Sequence, residues 1–324
     1  MGLLQPRRGS RRLHLKEGRR PRLKKRHATV IGVPLDYGAS KRGASGGPSA
    51  VRRANLIEGL EALGVEVSDA GDLTVPKIVP SAKGKLKNSS AILKVCQALE
   101  KQTYEAVANA SIPITLGGDH SLAVGSVAGV SRAFRDKGRK IGLIWVDAHA
   151  DINTPETSPT GNVHGMPLAH LLGMGHKDFA RLGGFSPKID PRNVVLVGIR
   201  DVDRAEAVNI RKSGIRVFSM QEIDRFGMGV VTEQAIDAAN DGTAGFHVSF
   251  DIDSVDPGNA PGTGTIKRGG LTYREAHLFM ELVADSERMV GLDVVEVNPL
   301  EDTQNATAVL AAELIASSMG KNIY

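Results

Sequence analysis

Short apolar runs recur along the chain at 28–33, 65–68, 112–116, 141–146, 194–198, 215–218, 246–250 and 289–294. The longer ones, such as Ile141-Gly142-Leu143-Ile144-Trp145-Val146, show no polar alternation, which is the pattern of strands buried on both faces. Between most of them the apolar positions recur with helical spacing. Eight strands joined through helices imply right-handed crossovers and a parallel sheet covered on both sides. The expected fold class is therefore α/β, a three-layer α/β/α sandwich around one eight-stranded parallel sheet. Pro48 suits the first turn of a helix running through Val51, Ala54, Leu56 and Leu60, and a last helix is expected over 306–319. The glycine-rich stretch 38–47 lacks the Gly-Lys-Ser ending of a phosphate-binding loop, and no Gly-x-Gly-x-x-Gly follows a strand, so nucleotide binding is not expected.

Composition changes this picture at one end only. A chain of 324 residues with 41% hydrophobic content can bury a large core in a single α/β unit. The lone cysteine, Cys96, excludes a disulfide framework and suits a reducing compartment, so a cytoplasmic location is expected. No apolar stretch approaches the roughly eighteen residues of a membrane-spanning helix. The net charge of +5 hides an asymmetry: residues 1–27 hold 11 of the 41 Lys and Arg with Glu17 as their one acid, which leaves 30 bases against 35 acids over 28–324. Residues 1–27 read as a basic, disordered extension to a domain spanning 28–324. Its leucines are too scattered for a secretory signal, and it has no aromatic residue on which bases could stack, which argues against nucleic acid as a partner.

The candidate chemistry sits where three of the apolar runs end. Asp147-Ala148-His149-Ala150-Asp151 follows the run 141–146, and on an extended strand its three polar side chains would project to one side. Asp251-Ile252-Asp253 follows the run 246–250, and Gly117-Gly118-Asp119-His120-Ser121 follows the run 112–116. In an open α/β sheet, ligands gather beyond the carboxyl ends of the strands, so these three ends can converge. Carboxylates and imidazole without thiolate suit a divalent ion such as Mn, Mg, Fe or Zn. Four buried carboxylates, Asp147, Asp151, Asp251 and Asp253, call for two such cations, because unpaired buried charge costs several kcal/mol apiece.

These three stretches resemble the signature motifs of the ureohydrolases, and Gly161-Asn162-Val163-His164-Gly165 together with 264–275 resembles arginase in particular. The resemblance runs from about Ala28 to the C-terminus and implies the three-layer sandwich reached above. It implies two Mn2+ per subunit, one held by His120, Asp147, Asp151 and Asp251 and the other by Asp147, His149, Asp251 and Asp253. It further implies that the ions share a hydroxide that attacks the guanidinium carbon of L-arginine, releasing urea and L-ornithine. Asp151 would accept a hydrogen bond from that nucleophile, Glu296 would hold the guanidinium, and His164 would relay a proton to the departing amine. The family pattern assigns Asn153, Thr160 and Asn162 to the substrate carboxylate, and Asp203 and Glu206 to its α-amine. Thr160 departs from the serine found in many arginases, which keeps the hydroxyl and adds a methyl. Homotrimers or homohexamers are implied as well.

Two other functions stay open on the sequence. An agmatinase or other guanidino-acid ureohydrolase would share the metal chemistry, and an inactive homologue would act through the basic extension on anionic partners. His170, His176, His247 and His277 match no catalytic position and are expected to be surface or satisfied core groups, while His14 and His27 are expected in the extension.

Overall fold

The architecture follows from where the apolar runs pair. The computed structural model describes residues 26–78 and 86–322. All eight expected strands form: β1 (His27–Val33), β2 (Glu66–Asp72), β3 (Ile112–Gly117), β4 (Gly142–Val146), β5 (Val194–Ile199), β6 (Arg216–Ser219), β7 (Phe246–Asp251) and β8 (Met289–Val295). They make one sheet in the order β2-β1-β3-β8-β7-β4-β5-β6, with every neighbouring pair parallel.

Successive strand residues serve opposite layers. Val30, Ile144 and Val195 pack into a core with the helices Gly47–Arg53, Leu56–Ala62, Met228–Asn240, Tyr273–Ser286 and Ala306–Ser318. Their chain neighbours Ile31, Leu143 and Leu196 face the opposite way, toward the helices Ser89–Ala108 and Ala123–Arg135 and the turns that follow β4. The strands are apolar on both faces because both faces are covered. Cys96 is fully buried in the helix Ser89–Ala108, as a small core residue should be.

Three local expectations are corrected. The single helix expected from Pro48 through Leu60 is two helices, broken where Asn55 adopts the left-handed conformation (φ 59°). Asparagine tolerates that region better than most residues, and the turn lets Leu56 and Leu60 bury fully. Gly47 is the first residue of the first helix rather than the end of a loop. A β-carbon there would lie 2.6 Å from the carbonyl oxygens of Gly117 and Val297, so the helix can abut the strand ends only through glycine. His27, expected in the extension, instead opens β1 opposite Glu66, and the Arg26 carbonyl accepts the Glu66 N–H. The extension up to residue 25 lies outside the described residues.

Candidate metal centre and active site

Five adjacent strands, β3, β8, β7, β4 and β5, deliver the candidate residues at their carboxyl ends. His120 begins a short turn after β3, Asp147 follows β4 directly, Asp251 ends β7, Asp253 sits in the turn after it, and Glu296 follows β8. The Asp147 to Asp151 segment is not a strand continuation, however. β4 stops at Val146, His149 makes an isolated bridge with Asp201 beyond β5, and Asp151 is left-handed (φ 50°). Turn geometry, rather than strand alternation, aims the three side chains inward. Glu296 is left-handed too (φ 63°), an unfavourable conformation for a long side chain and one found at sites where position is worth strain.

The side chains converge. His120 Nδ1 lies 3.2 Å from Asp147 Oδ2, 3.1 Å from Asp151 Oδ2 and 3.2 Å from Asp251 Oδ2. His149 Nδ1 lies 3.4 Å from Asp147 Oδ1 and 3.1 Å from Asp253 Oδ2. Two ligand clusters result, His120 with Asp147 and Asp251, and Asp147 with His149 and Asp253. Asp147 belongs to both, one oxygen toward each imidazole. Although three carboxylates surround it, His120 Nδ1 is buried without an aligned hydrogen bond, as a nitrogen reserved for a cation would be. The donor set fits two divalent ions.

The electrostatics carry the same message. Burial raises the Asp151 carboxyl to about 6, with Asp147 adding repulsion. Burial and Asp253 hold Asp251 well above the carboxylate range, and burial and Asp147 raise Asp253. Burial opposes the charge of His149, but Asp253 and Asp147 outweigh it and lift the imidazole to about 12. His120 is raised by Asp147, Asp151 and Asp251 in the same way. Carboxylates this crowded and dry lack positive charge.

His164 and Glu296 form a buried pair beside the clusters. His164 Nδ1 lies 3.0 Å from Glu296 Oε1, which also accepts the His120 backbone N–H at 2.9 Å. Burial would lower His164, yet Glu296 lifts it to about 9, while His164 in turn holds Glu296 below its usual range against burial.

Above the clusters opens a cavity of about 150 Å³ lined by His149, Asp151, Asn153, Thr160, Asn162, His164, Asp203 and Glu206, among others. Every residue expected to read the substrate is on that wall. Asp203 and Glu206 also form a capping box. Asp203 Oδ1 accepts the N–H groups of Ala205 and Glu206, and Glu206 Oε2 accepts that of Asp203. Asn153 donates to Asp203 Oδ2 at 2.8 Å, which joins the two segments expected to read the substrate. Burial, with Asp151 next, pushes Glu206 up to about 7.

The sequence reading missed several participants. Thr265 donates to Asp253 Oδ2 at 2.8 Å, and Trp145 Nε1–H donates to Asp147 Oδ2 at 3.0 Å while its ring stacks on His120 with centroids 4.0 Å apart. Trp145 was legible in retrospect, two residues before Asp147. Lys87, which donates to Asn162 Oδ1 at 3.1 Å, brings a cation to the mouth and had no sequence signal. Of the set-aside histidines, His176 is half-buried and caps a short helix, and His277 bonds Ser317. His170 departs from expectation, since it stacks on Phe179 with neither ring nitrogen bonded, and burial pushes it down to about 3.

Residues 26–320 match the family model described as the arginase family. The chain belongs to the arginase family. Among individual members, the arginase of Bacillus caldovelox is 44% identical over 298 residues, covering 91% of this chain and 98% of that one. Its native structure superposes with a TM-score of 0.88 at 43% identity, covering 93% of this chain and 100% of that one. An Entamoeba histolytica arginase in complex with L-ornithine superposes with a TM-score of 0.84 at 32% identity, covering 92% and 99%. Family members are metal-dependent hydrolases of the guanidino C–N bond, and the two clusters sharing Asp147 are where such metals fit in this chain.

Proposed function

We propose that this protein hydrolyses L-arginine to L-ornithine and urea with two Mn2+ per subunit. The observation that carries this reading is the pair of His/Asp clusters sharing Asp147 at the floor of a cavity whose wall holds both an acidic pair and neutral donors. His120, Asp147, Asp151 and Asp251 would hold one ion, and Asp147, His149, Asp251 and Asp253 the other. When bound, the ions neutralise the four carboxylates and acidify a water to serve as nucleophile near neutral pH.

The remaining steps fall to the chain itself. Glu296 would pair with the guanidinium, which is cationic at all working pH values. Asp151 accepts a hydrogen bond from the attacking water. As water oxygen adds to the guanidinium carbon, the bond to the side-chain Nε breaks, and that nitrogen must leave as a neutral amine. His164, which Glu296 keeps protonated, would supply that proton, and the proton given up by the attacking water would pass to Asp151. At the other end, Asp203 and Glu206 present negative charge to an α-ammonium, and Thr160 and Asn153 present hydrogen-bond donors to an α-carboxylate. That the E. histolytica arginase is in complex with L-ornithine, which carries the same α groups, supports an amino-acid substrate.

The reading extends to a cytoplasmic enzyme of arginine catabolism that assembles as a trimer or hexamer. The buried free Cys96 supports a reducing compartment, and among the described residues no helix is long and apolar enough to cross a membrane. The direct test is urea release by purified, manganese-loaded protein offered L-arginine, agmatine or 4-guanidinobutyrate. Preference for arginine supports the reading. Equal turnover of either analogue makes the protein a broader guanidino hydrolase.

A further inference from the structure

Beneath the metal centre a polar strip crosses an otherwise apolar face of the sheet. His120 Nε2 lies 2.9 Å from Ser249 Oγ on β7. Ser249 Oγ–H donates in turn to Asp293 Oδ2 on β8 at 3.3 Å, and Ser126 Oγ–H from the helix Ala123–Arg135 donates to the same oxygen at 2.8 Å. His247 Nε2, one register step back on β7, is 3.0 Å from that oxygen, although its N–H is not aligned for a hydrogen bond. Ser126, His247, Ser249 and Asp293 are all 0% exposed, and His120 is 1% exposed. Gly291 is paired with His247, and a β-carbon there would lie 2.5 Å from His247 Nδ1. None of these four residues touches the substrate cavity. A buried aspartate in the middle of a sheet is costly and asks for a reason.

The direction of the hydrogen bonds supplies one. An aspartate carboxylate can only accept, so Ser249 meets Asp293 as the donor, as Ser126 does where its proton is not given to the Ala123 carbonyl. Ser249 is then left with lone pairs toward His120, and it accepts from a ring nitrogen that carries a proton. In the neutral imidazole that a metal requires, a proton fixed on Nε2 leaves the lone pair on Nδ1, the atom that faces Asp147, Asp151 and Asp251. Trp145, stacked on the ring, holds its plane.

We propose that Asp293, acting through Ser249, is a positioning residue that locks His120 in the tautomer and orientation that bind the metal. The inference rests on the two-metal reading of the site. Partners of this kind, behind a ligating histidine, change metal affinity by about 10- to 100-fold when removed.

The test is equilibrium titration of metal-free protein with Mn2+ against a chelating indicator, alongside thermal unfolding of the metal-free form. Ser249→Ala should weaken one of the two ions by about 10- to 100-fold while metal-free unfolding changes little, and Ser249→Thr, which keeps the hydroxyl, should restore affinity. Asp293→Asn should weaken binding less, and its effect should vanish in the Ser249→Ala background, because Asp293 acts only through the serine. Should Ser249→Ala fail to fold, Ser249→Cys, with its weak acceptor, carries the same comparison. Unchanged affinity in the serine variant, an equal loss in Ser249→Thr, or additive losses in the double variant would overturn the proposal. If the unaltered protein fails to bind two ions, the metal reading itself falls instead.

Discussion

Glu296→Gln isolates the charge that governs His164. The carboxylate is 3.0 Å from the imidazole in a buried setting, where burial alone would take His164 below its ordinary 6.5 and Glu296 instead holds it at about 9. Removing the charge while keeping the shape should lower His164 toward its ordinary value, with Asp151 and Asp119 the raising charges that remain. A fall from about 9 to about 6.5 is on the order of 3 kcal/mol between the two protonation states. At pH 8 the unaltered protein would carry roughly ten protonated His164 for each neutral one, and the variant roughly one for thirty. The measurement is histidine ring NMR of metal-free protein against pH, with His164→Asn identifying the resonance. Metal loading should lower the value in both proteins, since bound cations repel an imidazolium. The same shift has a stability consequence. A histidine raised in the folded state stabilises fully below its unfolded value of 6.5, and that contribution is lost as pH climbs through about 9. The unfolding-temperature gap between the two proteins should therefore be wide near pH 6 and shrink by pH 10. A His164 titration in Glu296→Gln within about half a pH unit of the unaltered protein would refute the reasoning.

Three further outcomes are expected. Asp147→Ala and Asp251→Ala each remove a residue assigned to both ions, so metal analysis after dialysis should find neither ion retained; a full pair in either contradicts the shared-ligand assignment. L-arginine should exceed agmatine in kcat/KM by at least tenfold, since the missing carboxylate leaves buried donors unpaired at roughly 1 to 3 kcal/mol each, and Asp203→Ala should raise KM with metal content intact. Deleting residues 1–25 should leave turnover and unfolding temperature nearly unchanged, whereas deleting through His27 removes the Arg26–Glu66 and His27–Glu66 pairings at the start of β1 and should lower the unfolding temperature by several degrees.

The strands were legible because burial on both faces leaves an unbroken apolar signature, and the candidate metal ligands were legible because Asp and His stand directly where those runs end. Legibility failed where the physics is local or long-range. β2 was found only in part, since most of this edge strand is exposed and its later residues, Asp69 to Asp72, are held by Arg52 rather than by core packing. The break at Asn55 depends on one dihedral angle that periodicity does not record. Thr265 and Lys87 reach the site from loops whose path only the folded chain defines. Asp203 and Glu206 could have been read simply as an N-cap and its capping-box partner. They are that, and their other side lines the cavity.

The strand order also sets when the site can exist. β8 is the last strand made, yet it lies in the middle of the sheet, with β3 on one side and β7 on the other. Until it inserts, the sheet is two separate halves: β2-β1-β3 carries His120, and β7-β4-β5-β6 carries His149 and the four aspartates. Contacts between such distant segments form slowly, because loop closure must precede the pairing that rewards it. A chain still lacking β8 can thus assemble the Asp147, His149 and Asp253 cluster but not the cluster that needs His120. Completion of the His120 cluster closes the folding sequence rather than opening it, and an ion held there would join the two halves.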